Sequence, residues 1–140
     1  VQEGVVSIGN NSCRNLPELR RVYLPSTLKR IGYASFNYCR KLEKIDFKEG
    51  LETIEGYSLI GAGKVKNLYI PSTVKRIDEA AISTMYECTE ITVSPKNKNF
   101  VSIDGVVYDK DMNMRMLNPE FKNPTDAKKY YMVKLQRFNK

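Results

Sequence analysis

The stretches LPSTLKRI (residues 24–31) and IPSTVKRI (residues 70–77) are too alike to be chance, and they lie 46 residues apart, twice a period of 23. Working outward from them, four segments align without gaps, starting at Val5, Leu28, Leu51 and Val74. Seven positions in each segment stay apolar while their neighbours vary. One column runs Val5, Leu28, Leu51, Val74, and another runs Ile8, Ile31, Ile54, Ile77. Two further columns are Cys13, Phe36, Leu59, Ile82 and Leu16, Cys39, Ala62, Met85. The last three are Leu19, Leu42, Val65, Cys88; Val22, Ile45, Leu68, Ile91; and Leu24, Phe47, Ile70, Val93. Such columns are what stacked coils require, because equivalent side chains of successive coils share one continuous core.

Local patterns assign the pieces of a coil. In LEKIDF (residues 42–47) the apolar residues Ile45 and Phe47 alternate with polar ones, the period of a strand with one buried face. The following KEG or PST is a turn. LKRI and VKRI then form a second short extended piece, and YASFNYCRKL (residues 33–42) suits a helical turn or an irregular crossover. Gly61-Ala62-Gly63, within a crossover, reads as a place where the backbone turns tightly. No piece could bury its apolar face alone, so stacking is what makes the coils stable.

The run IGYASFNYCRKLEKIDFKEGLETI (residues 31–54) resembles the bacterial BspA-like leucine-rich repeat, with Ile31, Gly32, Ala34, Phe36, Cys39, Leu42, Ile45 and Phe47 at the family positions. Lys48 stands where proline is usual, and Pro25 and Pro71 restore it in neighbouring coils. The resemblance covers roughly residues 5 to 111. It implies a right-handed, curved solenoid of α/β type, rich in β structure, and a place on a bacterial surface with a role in adhesion.

Beyond Val93 the phase slips. Val101 follows Val74 by 27 residues, so SPKNKNF (residues 94–100) forms a longer loop. FVSIDGVVYDKD reads as strands about an Asp104-Gly105 turn, an atypical terminal unit. The expected organisation is a solenoid over residues 1–111, with coils starting near 5, 28, 51 and 74 and irregular from 94, followed by a capping tail over residues 112–140 of the same domain. Thr125 would cap a helix to about Phe138, although alternation at Tyr131, Val133 and Leu135 equally permits a strand.

The net charge of +7 raises nucleic acid as a partner, but residues 122–140 supply six bases and one acid, hence +5 of it. The rest of the chain carries only +2, with both signs interspersed, which is not a phosphate-tracking stripe. No specific nucleic acid is therefore expected. Polyanion or membrane-surface contact through the basic tail stays open as an alternative. VQEGVVSIGNN, at the start, shows no signal-peptide pattern. Either the protein is cytoplasmic, or an export signal and earlier repeats precede Val1; beginning within a repeat favours the second. An uncovered first coil would show Val5, Val6 and Ile8 to solvent, so self-association through solenoid ends is a further expectation.

Chemistry-bearing residues are sparse. The sequence has no histidine, glycine-rich phosphate loop or nucleophile elbow, so no catalytic residue, cofactor or metal is expected. Cys13, Cys39 and Cys88 fall in different columns and read as small buried hydrophobes. Asp109, Asp111 and Asn113 mimic the start of a calcium loop ending at Glu120, but Met114 stands where that loop needs glycine. Asn10-Asn11-Ser12 matches a glycosylation acceptor, a frequent chance match. The outward strand face is the natural binding surface of a solenoid. Its columns are Arg21, Lys44, Asn67, Glu90 and Tyr23, Asp46, Tyr69, Thr92. Tyrosine beside arginine or lysine is chemistry enriched at protein interfaces. The sequence thus reads as a non-catalytic binding module, probed first against host extracellular-matrix or surface proteins, with an intracellular or intramolecular scaffold as the alternative.

Overall fold

The computed structural model describes residues 1–109, apart from Glu79, Ser83, Thr84, Tyr86 and Asp104. Four coils stack in phase. Their first short strands, β1 (Ser7–Ile8), β3 (Arg30–Ile31), β5 (Thr53–Ile54) and β7 (Arg76–Ile77), form one parallel sheet in that order. Each partner lies one period away, Ile8 opposite Ile31, Ile31 opposite Ile54 and Ile54 opposite Ile77. Their side chains point into the core and are almost fully buried.

The second strands are β2 (Arg21–Val22), β4 (Lys44–Ile45), β6 (Asn67–Ile70) and β8 (Glu90–Val93). β2 pairs with β4 and β6 with β8, both in parallel, but no pairing joins β4 to β6. The ladder on this side is split between the second and third coils.

No helix occurs among the described residues. The crossover is instead a chain of turns, and the reason lies in its backbone. Asn11, Ala34, Tyr57 and Ala80 all have φ between 53° and 60°, at one repeat position, and Asn15, Tyr38 and Gly61 have positive φ four residues later. A left-handed residue at these points turns the peptide out of the local spiral, so amides point along the stack and not back along the chain. Asn11, Cys13 and Asn15 donate to the carbonyls of Tyr33, Ser35 and Asn37, and Ala34, Phe36 and Tyr38 donate to those of Gly56, Ser58 and Ile60, all at 2.7–3.0 Å. These bonds satisfy a buried backbone without a helix. A left-handed conformation costs a residue with a Cβ roughly 1–2 kcal/mol, so the intercoil bonds are what hold Ala34 and Tyr57 there.

The apolar columns are buried in the second and third coils and, among the described residues, in the fourth except at the half-buried Val93, while the first coil departs from them. In the first coil Leu16 is 42% exposed and Val5, Cys13 and Leu19 are only partly buried, while their equivalents in the second and third coils are covered. The described first coil has a neighbour on one side only. Of the three residues expected at its open face, Val6 is exposed, Val5 is half-buried and Ile8 is buried at 7%.

The longer loop after Val93 is pinned by Asn97, whose buried amide donates to the carbonyls of Pro71 and Val74 and accepts from the amides of Asn99 and Phe100. The chain then forms an antiparallel hairpin of β9 (Phe100–Ile103) and β10 (Val106–Asp109), with Ile103 opposite Val106 and Gly105 at φ 82°. Gly105 thus falls at the turn expected from the sequence, while Asp104 lies outside the described residues. The hairpin docks on β8: Ile91 N–H donates to the Gly105 carbonyl, and Ser102 Oγ donates to the Ile91 carbonyl. The calcium-like run beyond Asp109, the helix or strand over 125–138, and the whole 112–140 tail lie outside the described residues.

Two tests follow from how closely the coils approach. A Cβ on Gly32 would lie 2.4 Å from the Ile8 carbonyl of the coil before it, whereas one on Gly9, the equivalent position, would touch nothing within 4 Å. Gly32→Ala should destabilise the fold by about 2 kcal/mol or more, and Gly9→Ala by less than about 0.5 kcal/mol, in chemical denaturation. Equal effects would show that coil contact is not the cause. The second test concerns a column that the apolar pattern hides: Ser35 and Ser58 are fully buried, their hydroxyls have no hydrogen-bond partner among the described residues, and the fourth coil places Ala81 there. Ser58→Ala should leave stability unchanged or raise it by up to about 1 kcal/mol; a clear loss would mean that the hydroxyl is satisfied.

Candidate functional site on the outward strand face

Alternation along β2, β4, β6 and β8 sends Val22, Ile45, Leu68 and Ile91 inward and their neighbours outward. All eight outward residues expected from the sequence, Arg21, Tyr23, Lys44, Asp46, Asn67, Tyr69, Glu90 and Thr92, are exposed. Register brings Arg21 beside Lys44, Asn67 beside Glu90 and Tyr69 beside Thr92. Tyr23 is 64% exposed and Tyr69 45%. Lys44 Nζ sits 3.5 Å from Asp46 Oδ2, and Arg20 reaches Glu43 at 3.3 Å, both on the surface, where ion pairs contribute little.

The columns are not continuous. Between β4 and β6 lies a cleft of about 630 Å³ lined by Glu43, Lys44, Ile45, Asp46, Lys64, Lys66, Asn67 and Glu87. It divides the surface into two paired strips, and it could not be read from the columns because the 23-residue period runs through it unchanged.

A denser polar cluster decorates the other sheet. Arg30 lays its guanidinium on Glu55, with Nε to Oε1 at 2.8 Å and Nη2 to Oε2 at 2.7 Å, and also reaches Ser7 and Asn10. Tyr33 N–H and Arg76 Nη2 also donate to Glu55, and Arg76 Nε meets Asp78 at 2.9 Å. The Arg30 hydrogen bonds hold the Glu55 carboxyl below its usual range despite partial burial, with Tyr33 N–H and Arg76 adding to the effect. Tyr33 and Tyr57 stack edge to face with centroids 5.5 Å apart and are both about half exposed. The sequence reading missed this cluster, although the recurrence of arginine at 30 and 76 with acids at 55 and 78 was its signal.

Cys39 and Cys88 are buried, Cys13 is half-buried, and all three are free thiols. Burial pushes the thiols of Cys39 and Cys88 up, so neither is an activated nucleophile. Among the described residues, no three Cys, Asp or Glu side chains gather as a metal site would need. No helix there is long and apolar enough to cross a membrane.

A family profile described as BspA type leucine rich repeat region (6 copies) matches residues 6–117. The chain belongs to the BspA-type leucine-rich repeat family. Solved structures similar to this BspA-type chain include the pneumococcal vaccine antigen PcpA, at 26% identity and a TM-score of 0.71 over 77% of this chain and 27% of that one. A leucine-rich repeat protein from Eubacterium ventriosum, at 23% identity and a TM-score of 0.61 over 79% and 35%, shares the fold. So does the T. pallidum leucine-rich repeat protein TpLRR, at 22% identity and a TM-score of 0.53, over 62% and 51%. The chain thus spans about a quarter to a third of the length of the first two. No curated protein matches it.

The Glu55 cluster is expected to make this BspA-type array acid-sensitive. Because the folded carboxyl titrates below its usual value of 4.5, its stabilising contribution is complete above that value and is lost as pH falls through the lowered one. Glu3 and Glu49, lowered by hydrogen bonds from Ser26 and Ser72, act in the same direction. Glu55→Gln should therefore lower stability at pH 7 and flatten its fall below pH 4.5, as read from denaturation midpoints across pH. A wild-type slope in the variant would remove Glu55 as a cause.

Proposed function

We propose that this chain is a non-catalytic protein-binding module of a bacterial cell-surface or secreted adhesin, with a host extracellular-matrix or surface protein as partner. The observation that carries this reading is the outward strand face, where all eight side chains of the two columns are exposed on strands anchored by a buried core. Two exposed tyrosines, Tyr23 beside the Arg21–Lys44 pair and Tyr69 beside Asn67, Glu90 and Thr92, give each strip an amphipathic anchor of the kind enriched at interfaces. Leucine-rich repeat solenoids are typically non-catalytic, and the outward side chains here lie on an open strand face, which supports a binding role. Membership of the BspA-type family and likeness to a pneumococcal vaccine antigen support placement at the surface.

The test is solid-phase binding to a panel of purified matrix proteins, with an unrelated solenoid as the control. Saturable binding is expected, and the double variant Tyr23→Ala/Tyr69→Ala should weaken it about tenfold or more, since aromatic anchors commonly contribute over 1 kcal/mol each. Thermal unfolding should be unaltered, because both rings are exposed. Binding no better than the control, or unchanged in the double variant, sinks the reading.

A further inference from the structure

The split between β4 and β6 is a bounded opening in an otherwise regular stack. At one end Lys64 N–H still donates to the Leu42 carbonyl at 3.0 Å. At the other, Glu49 accepts from Ser72 N–H and Oγ at 3.1 and 2.6 Å, and Gly50 N–H donates to Thr73 Oγ1 at 2.9 Å. Between these closures β4 and β6 make no strand pairing. At the equivalent point of the neighbouring boundaries, Glu43 and Lys44 donate to the Arg20 carbonyl and Thr89 donates to that of Lys66. No such bond joins Lys66 or Asn67 to Glu43.

A parallel strand directs alternate amides and carbonyls to each side. β4 uses one side on β2, and β6 uses one side on β8, so the facing rows are left without a strand partner. Unpaired rows of this kind are templates for another strand. The cleft's volume, about 630 Å³, falls within the usual range of ligand pockets, about 300–1,000 Å³.

The charges at the opening select the incoming strand. Glu43 is paired with Arg20, and Lys44 with Asp46. Lys64 and Lys66 are exposed and make no ion pair among the described residues. The lining holds three lysines and three acids, and with Glu43 paired to Arg20 and Asp46 to Lys44, two unpaired lysines face the single unpaired Glu87. Ile45, buried at 3%, gives the lining an apolar side chain.

We propose that the cleft between β4 and β6 is a strand-acceptor site for an acidic extended peptide segment of a protein partner. The segment hydrogen-bonds to the backbone that β4 and β6 leave free, sets alternate carboxylates against Lys64 and Lys66, and turns its other face toward Ile45. This assignment rests on the reading of the strand face as a protein-binding surface and names the part of it that grips backbone.

The probe is the blocked hexapeptide Ac-Thr-Asp-Val-Glu-Val-Thr-NH2, titrated into the ¹⁵N-labelled chain and followed by amide shifts. Saturable shifts are expected at Lys44 to Asp46 and at Lys66 to Tyr69. Methylating alternate peptide nitrogens should weaken binding about tenfold or more by removing the donors. Lys64→Ala/Lys66→Ala should weaken it about fivefold or more, and increased salt should act in the same direction. Both lysines are exposed, so the fold is not at risk. Absent shifts, shifts confined to other strands, or equal binding of the methylated peptide would each overturn the site. Matrix binding that is lost in the tyrosine double variant while the peptide fails would overturn the cleft alone. Peptide capture without matrix binding would uphold the cleft and remove the adhesin reading.

Discussion

Everything in this molecule depends on backbone hydrogen bonds made one period along the chain. Each coil has too little apolar surface to stand alone, and its amides must find carbonyls in the next coil. Three ladders do this: one through β1, β3, β5 and β7, one through the crossover turns, and one through the outward strands. That demand explains features that look unfavourable locally. Ala34 and Tyr57 hold positive φ because only then do the crossover amides face the adjacent coil. Gly32 approaches the Ile8 carbonyl so closely that a methyl built there would clash.

Side chains reinforce the same spacing where backbone alone does not reach. Glu3 and Glu49 each clasp a serine 23 residues on, Ser26 and Ser72, and Thr27 and Thr73 close the same turns by accepting from Gly4 and Gly50. Glu18 to Lys41 and Arg20 to Glu43 span the same distance. Surface pairs of this kind are individually weak. Their value is positional, since each fixes the register of one coil on the next.

Much of this was legible in the sequence, because a repeat states its own core. The Ile8, Ile31, Ile54, Ile77 column named the buried face, and alternation at Ile45 and Phe47 named the outward one. The hairpin turn at Gly105 was readable from its chemistry. The crossover was not: alanine and tyrosine in left-handed conformations carry no local signal, so YASFNYCRKL suited a helical turn as well as what it forms. The buried Ser35 and Ser58 column was hidden because serine is counted as polar, and the Arg30–Glu55 cluster because its partners are 25 residues apart, one period plus two. The split ladder left no trace at all, for the second and third coils have the same length and phase as the others.

That split matters because of where it falls. The last outward strand among the described residues, β8, is covered by the β9–β10 hairpin, through Gly105 and Ser102 on Ile91. The unpaired rows of β4 and β6 lie in the interior of the stack, closed at both ends by Lys64 on Leu42 and Ser72 on Glu49. An edge in that position cannot propagate into open-ended aggregation as a free terminal strand can. It is also held in shape before any partner arrives, which lowers the ordering cost of binding. A stack whose stability resides in its other two ladders can leave one rung of the third unmade, and the gap becomes a feature of the surface without becoming a weakness of the fold.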